Sequence, residues 1–107
     1  MNIPKTVKVG GHTFTVKYVD VIDEGFSSGE LRYHESELPL AKHVKFDPDK
    51  NIKTKTNQQS KESVFVHELV HAIDIVYNAH SLTEKTVKRL GEGLYQVIKD
   101  NPDIFRP

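Results

Sequence analysis

The residues with the clearest capacity for chemistry form the segment His67-Glu68-Leu69-Val70-His71. On an α-helix, side chains four residues apart lie on one face, so both imidazoles can bind a single metal ion. Glu68 lies beside this pair, where it can take a proton from a water that the metal activates. The segment therefore predicts a zinc site with His67 and His71 as ligands and Glu68 as general base.

A catalytic zinc site needs a third protein ligand and leaves one position open. Because the chain has no cysteine, this ligand must be a histidine or a carboxylate. The metzincin pattern is excluded, since it needs a glycine at position 74 and a histidine at position 77, where this chain has Asp74 and Tyr77. The candidates that remain are Glu92, Asp74, His80, His12, His34 and His43.

Among these candidates, Glu92 has the most favourable position. It lies about twenty residues after the motif in a second predicted helix, between Gly91 and Gly93. Glycines inside a helix cost about 1 kcal/mol each relative to alanine, and a close approach of the two helices would explain them. That approach would also bring Glu92 to the metal. The alternative is a solvated glutamate, because Glu92 lies about 120° from the centre of its helix's apolar stripe.

Asp74 and Tyr95 each have a functional and a structural interpretation. Asp74 shares a helical face with His67 and His71, so it either orients a ligand histidine or forms a surface salt bridge. Tyr95 lies one turn after Glu92 and either donates a hydrogen bond to the oxyanion or, as is commoner, packs in the core. We expect ordinary surface or strand roles for His12, His34, His43 and His80.

A helix from about Gln59 to Tyr77 is predicted to carry the motif. Asn57 or Ser60 can cap its start, and Asn78 can end it. One broad side is apolar, opposite the side of the histidines, which predicts a largely buried helix. The residues of this side are Phe65, Val66, Leu69, Val70, Ala72, Ile73, Val76 and Tyr77.

A second helix is predicted to follow. It starts at Ser81-Leu82-Thr83-Glu84, which matches the capping box in which serine and glutamate satisfy free backbone donors. Asn101-Pro102 ends it, because proline cannot continue the hydrogen-bond ladder. Its predicted core stripe consists of Val87, Leu90, Leu94, Val97 and Ile98.

Strands and turns are predicted before residue 57, where the composition changes. Thr6 to Val9 and Thr13 to Val19 suit two strands joined by Gly10-Gly11, since glycine accepts the positive φ of a tight turn. Alternation of polar and apolar residues predicts further strands at Glu30 to Tyr33 and at His43 to Phe46. The remaining features are a turn at Asp47-Pro48-Asp49 and a short extended piece or loop from Ile52 to Thr56.

Composition favours one soluble α+β domain over residues 1–107, strand-rich in 1–56 and helical in 57–107. Lys plus Arg and Asp plus Glu both number 15, which argues against nucleic-acid binding and gives no reason to propose a membrane partner. We find no signal peptide and no apolar run near the roughly 20 residues that span a bilayer. The absence of cysteine fits a reducing cytosol, so we expect a cytoplasmic protein.

The two helical segments also resemble a known family. The stretches from Glu62 to Asp74 and from Arg89 to Ile98, the latter followed by Asp100-Asn101-Pro102, resemble small zincin-like proteins of bacteriophages and their bacterial hosts. These proteins look like minimal relatives of ImmA/IrrE-type and other gluzincin peptidases. The resemblance covers residues 60 to 102, whereas the first half of the chain matches only in general layout.

The resemblance implies one zinc ion per chain, held by His67, His71 and Glu92, with Glu68 catalytic. It also implies a minimal zincin-like α+β fold, in which a small antiparallel sheet packs against the motif helix and the C-terminal helix. The edge strand of that sheet would lie along the cleft, and His43 to Phe46 is our candidate for it. A peptide could add to this edge by main-chain hydrogen bonds.

The sequence thus predicts a zinc metallopeptidase that hydrolyses peptide bonds in a peptide or protein substrate. The alternative is a catalytically silent zincin-fold module that captures a protein partner. Glu68 favours the enzyme, because a module that only binds has no chemical need for this carboxylate. Glu68→Gln separates the two hypotheses, since it should abolish cleavage but leave capture of a partner intact.

Overall fold

The computed structural model describes residues 1–45 and 52–105, which form an α+β fold with a small mixed sheet and two helices. The sheet begins with β1 (Thr6–Val9) and β2 (His12–Val19), which pair in antiparallel orientation. Gly10 at their junction has a φ of 60°, the left-handed conformation that a tight hairpin needs and glycine adopts freely. The predicted α+β class and the first hairpin are therefore confirmed.

The third strand, β3 (Glu37–Ala41), pairs in parallel with β2, so that Val16 lies opposite Leu38. The sheet is thus mixed, and the prediction of an antiparallel sheet was wrong. The strand predicted at Glu30 to Tyr33 was also wrong, because only single bridges connect this region to β3. The actual third strand escaped prediction because it is buried. All residues of β3 after the first are buried, and such strands show a continuous apolar run instead of alternation.

A separate two-stranded sheet pairs β4 (His43–Val44) with β5 (Thr54–Lys55) in antiparallel orientation. This pair confirms the described part of the predicted fourth strand and an extended piece after Ile52. Phe46 and the predicted turn Asp47-Pro48-Asp49 lie outside the described residues. The hydroxyl of Thr56 donates to the carbonyl of Ala41 at 2.8 Å, which ties this small sheet to the end of β3.

Helix α1 (Gln58–Tyr77) begins within one residue of the prediction. Oδ1 of Asn57 caps it by accepting a hydrogen bond from the backbone N–H of Ser60 at 2.7 Å. The core between helix and sheet contains Phe14, Leu38, Leu40, Phe65, Val66 and Ala72. The predicted apolar side is only partly buried, since Ile73 is 44% and Tyr77 is 71% exposed. The apolar side of α1 is therefore wider than the part of the helix that the other described elements cover.

Helix α2 (Glu84–Asp100) is capped by Thr83, whose hydroxyl accepts from the backbone N–H of Thr86 at 3.2 Å. The capping box predicted from Ser81 was therefore wrong. Ser81 instead belongs to the connection before α2, where its hydroxyl donates to the carbonyl of Asn78 at 2.8 Å. The predicted core stripe is confirmed at Val87, which is buried, and at Leu94 and Ile98, which are partly buried against the core. It was wrong at Leu90 and Val97, which are exposed.

The two helices approach each other closely at Gly91. A Cβ atom on Gly91 would lie 3.1 Å from the Cα atom of His67, tighter than ordinary van der Waals contact. This contact places α2 directly beside the motif on α1. Within the described part of the chain, neither helix is long and apolar enough to cross a membrane.

Candidate functional site

The motif histidines lie one turn apart on α1, with ring centroids separated by 4.9 Å. Their side chains are 24% and 22% exposed, so both rings reach a cavity while α1 remains packed in the fold. Partial burial lowers the pKa of His71, although the charge of Glu84 acts in the opposite direction. Burial thus favours the neutral imidazole, which is the form that binds a metal ion.

Glu84, the first residue of α2, brings a carboxylate to both histidines. Its Oε1 lies 2.9 Å from Nε2 of His67, and its Oε2 lies 2.8 Å from Nε2 of His71. Ligand atoms of these three residues lie within 4.8 Å of one another, and the described residues form no other such group. Two imidazole nitrogens and a carboxylate oxygen suit zinc, so the donor set fits this ion.

Sequence reasoning missed Glu84 as a site residue. The capping box predicted from Ser81 assigns this side chain a local role instead. The sequence did contain a signal for Glu84. It is the first residue of the helix that packs back along α1, and the short connection between the two helices brings this first residue close to the motif. Glu84 also places a negative charge in the first turn of α2, where the helix dipole favours it.

Glu68 is a buried acid within the same site. It is 5% exposed, and its Oε2 atom has no hydrogen-bond partner among the described residues. Burial, together with the charges of Glu84 and Glu30, raises the pKa of Glu68 to about 7. A carboxyl group with a pKa near neutrality can both accept and return a proton at physiological pH. This property fits the role of general base that the motif predicts.

These groups line a cavity of about 620 Å³. The segment Ser27–Leu31 forms part of its wall together with residues of both helices. Gly29 allows this segment to approach α1, because a Cβ atom there would collide with a methyl group of Val64. The volume falls within the usual range for small-molecule pockets, so a substrate side chain or a short peptide segment can enter.

Negative charge dominates the cavity. Four glutamates and one lysine line it: Glu30, Glu68, Glu84, Glu92 and Lys88. Acidic groups that share one concave wall raise the local concentration of cations. The electrostatics of the cavity therefore suit a divalent cation beside the two histidines.

Glu92, the predicted third ligand, is exposed and lines both this cavity and an adjoining one of about 420 Å³. The structure brings Glu84, and not Glu92, to the histidines. The close helix approach predicted from the flanking glycines is confirmed at Gly91, but a Cβ atom on Gly93 would meet nothing within 4 Å. Glu92 as a zinc ligand stays a prediction.

Tyr95 and Asp74 make contacts that favour structural roles. Tyr95 is 7% exposed, and its hydroxyl donates to Oε1 of Glu62 at 3.3 Å, so it packs in the core. Asp74 is 1% exposed, and its Oδ1 atom accepts hydrogen bonds from the connection between α1 and α2. Although burial opposes ionisation, these hydrogen bonds hold the pKa of Asp74 below its usual value.

The other histidines differ in their placement. His80 lines the cavity, on the connection between the helices. His12 lies 2.7 Å from the hydroxyl of Tyr33, and Nδ1 of His43 lies 2.7 Å from Oδ1 of Asp20, in contacts away from the cavity. The ring of His34 contacts the ring of Tyr33 edge-on. The expectation of ordinary roles therefore fits the contacts of His12, His34 and His43.

No protein-family model, curated protein or solved structure matches this chain. Support for a function therefore comes from the chemistry of the cavity itself. That chemistry consists of two imidazoles, a carboxylate that meets both, and a buried carboxyl group with a pKa near neutrality.

Proposed function

We propose that this chain is a zinc-dependent metallopeptidase of the zincin-like type that the sequence resembles. The observation that carries the proposal is the joint placement of His67, His71 and the buried Glu68 in one cavity. A metal site that served stability alone would not need an additional acid of raised pKa beside its ligands. Proton transfer in a hydrolytic reaction does need such a group.

Each residue has a defined task in this proposal. His67 and His71 would hold the zinc ion. When bound, zinc supplies a Lewis acid that favours deprotonation of water and polarises the peptide carbonyl. Glu68 accepts the proton of the attacking water and later returns it to the leaving amine.

Either of two carboxylates from α2 can complete the ligand set. Glu84 is supported by its distances of 2.9 and 2.8 Å to the two Nε2 atoms. Glu92 is supported by the resemblance and by the close contact of its neighbour Gly91 with His67. The two lie eight residues apart on one face of α2, with Lys88 between them in the cavity wall. The contacts favour Glu84, so we propose Glu84 as the third ligand.

Zinc content of purified variants tests this assignment. We expect about one zinc per chain in the wild type and in Glu92→Gln, and a clear loss in His71→Gln and in Glu84→Gln. Loss in Glu92→Gln but not in Glu84→Gln would transfer the ligand role to Glu92. Full zinc content in His71→Gln would contradict the site itself.

The substrate in this proposal is an extended peptide. Segment Ser27–Leu31 runs antiparallel to β3, with the backbone N–H of Glu30 donating to Pro39 and the carbonyl of Ser28 accepting from Ala41. Gly29 and Leu31 make no backbone hydrogen bond with the described residues, so their polar groups can pair with a substrate strand. This segment replaces His43 to Phe46 as our candidate edge, because residues 43–45 do not line the cavity.

Digestion of a mixed peptide library, analysed by mass spectrometry, tests the function. We expect new peptide termini with the zinc-loaded protein, none after chelation, and recovery when zinc is restored. A protein that binds zinc but produces no new termini would favour the alternative, a module that captures a protein without cleaving it.

A further inference from the structure

The connection between α1 and α2 is held by one buried carboxylate, Asp74. Its Oδ1 atom accepts three hydrogen bonds: from Nδ2 of Asn78 at 3.0 Å, from the backbone N–H of Ser81 at 3.1 Å and from that of Leu82 at 3.2 Å. The backbone carbonyl of Asp74 also accepts from the N–H groups of Asn78 and His80, at 3.0 and 2.9 Å. One residue thus fixes the chain from the end of α1 almost to the start of α2.

These hydrogen bonds hold a backbone conformation that the chain would otherwise avoid. Ala79 and His80 have φ values of 53° and 54°, in the left-handed region that is unfavourable for residues other than glycine. Two such residues in succession persist only where surrounding contacts determine the conformation. The contacts made by Asp74 on both sides of this pair meet that requirement.

The residues that follow lead directly into the cavity. Leu82, the last residue held by Asp74, precedes the cap residue Thr83, and Glu84 then begins α2. The side chain of Glu84 is 69% exposed, so little packing around it restricts its rotamers. Its contact with both histidines therefore depends on where the backbone of α2 starts.

We propose that Asp74 is a positioning residue, which fixes the start of α2 so that the carboxylate of Glu84 meets His67 and His71. Direct orientation of a histidine by Asp74 is not seen. Its Oδ1 atom is occupied by the connection, and its buried Oδ2 atom has no hydrogen-bond partner among the described residues. The inference rests on the proposed zinc site, whose affinity is the property that Asp74 controls through Glu84.

A double-mutant cycle on zinc affinity tests this role, with zinc titrated against a competing chelator dye. We expect Glu84→Gln to weaken zinc binding strongly, because it removes a proposed ligand. Asp74→Asn should weaken it by about tenfold, as loss of a residue that orients a ligand commonly does. If Asp74 acts through Glu84, the double variant binds zinc no more weakly than Glu84→Gln alone. The matched control is Asp100→Asn, because Asp100 contacts Gln96 on the exposed face of α2 and should leave affinity unchanged.

Each outcome of the cycle decides a separate point. Equal weakening by Asp74→Asn in both backgrounds would assign Asp74 a general structural role and overturn the inference, while the proposed function would stand. Absence of zinc binding in the wild type would overturn the proposed function and the inference together.

If Asp74→Asn does not fold, Asn78→Ala removes one of the three donors at an exposed position. We expect it to weaken zinc binding about twofold to fivefold, and only while Glu84 is present.

Discussion

The surroundings of Glu68 do not favour the stability of the fold. It is buried, one of its oxygen atoms has no partner among the described residues, and its pKa is raised to about 7. Burying an acid in this way costs free energy that an apolar residue of similar size would not cost. Proteins keep such unfavourable arrangements chiefly where function requires them. At this scale, the raised pKa of Glu68 and its cost to stability have the same cause.

That cost predicts a pH dependence of stability in the presence of a chelator. Unfolding returns the pKa of Glu68 from about 7 to 4.5, so the folded state binds more protons between these values. The stability that protonated Glu68 contributes is therefore complete below pH 4.5 and is lost as pH rises through 7. Relative to the wild type, Glu68→Gln should gain about 3 kcal/mol in unfolding free energy between pH 4 and pH 8.

Urea unfolding at several pH values measures this difference. Glu35→Gln is the matched control, because Glu35 is exposed and its replacement removes no burial cost. A difference between wild type and Glu68→Gln that stays constant from pH 4 to pH 8 would show that Glu68 is not buried as described.

At the scale of elements, the contact between α1 and α2 depends on the missing side chain of Gly91. Gly91→Ala should lower the unfolding free energy by about 1 to 2 kcal/mol, because the new methyl group requires the backbone of His67 to move. Gly93→Ala should raise it by up to about 1 kcal/mol, since a Cβ atom there meets nothing and alanine favours the helix. Thermal unfolding of both variants measures the contrast, and equal stabilisation by both would contradict the close approach.

The wall of the cavity depends in the same way on Gly29. In Gly29→Ala, the methyl group would collide with Val64, so we expect segment Ser27–Leu31 to move away from α1. Stability should fall by about 1 to 3 kcal/mol, and KM for a cleaved peptide should rise. Gly11→Ala is the control, because a Cβ atom at Gly11 meets nothing within 4 Å. If the two variants behave alike in urea unfolding and kinetics, the segment does not form the substrate edge.

The elements also show what the sequence could and could not predict. Helix α1 was predictable because its period, its Asn57 cap and the Asn78 end agree. Strand β3 was not, because burial on both faces removes the alternation that identifies a strand. That His67, Glu68 and His71 line one cavity follows from their local spacing on α1. The contact of Glu84 was not predictable, because it depends on the path of the connection that Asp74 holds.

For the whole molecule, a bound zinc ion would join α1 to α2, and so would stabilise the folded state. Zinc at about 100 times its dissociation constant should add about 2.7 kcal/mol to the unfolding free energy. For a chain of 107 residues this corresponds to a rise in Tm of roughly 10 to 20 °C. Differential scanning calorimetry with and without zinc measures the shift. His71→Gln should lose it, and a shift of the same size in that variant would place the metal elsewhere.

The most direct test of the proposed activity compares wild type with Glu68→Gln, both loaded with zinc, on a peptide that the wild type cleaves. We expect the variant to retain zinc and to lose cleavage by a factor of roughly 100 or more, because the proposed mechanism assigns proton transfer to Glu68 and zinc binding to the histidines. Retained zinc with lost cleavage would support a peptidase that uses Glu68 as its base. Cleavage at the wild-type rate by the zinc-loaded variant would contradict the account.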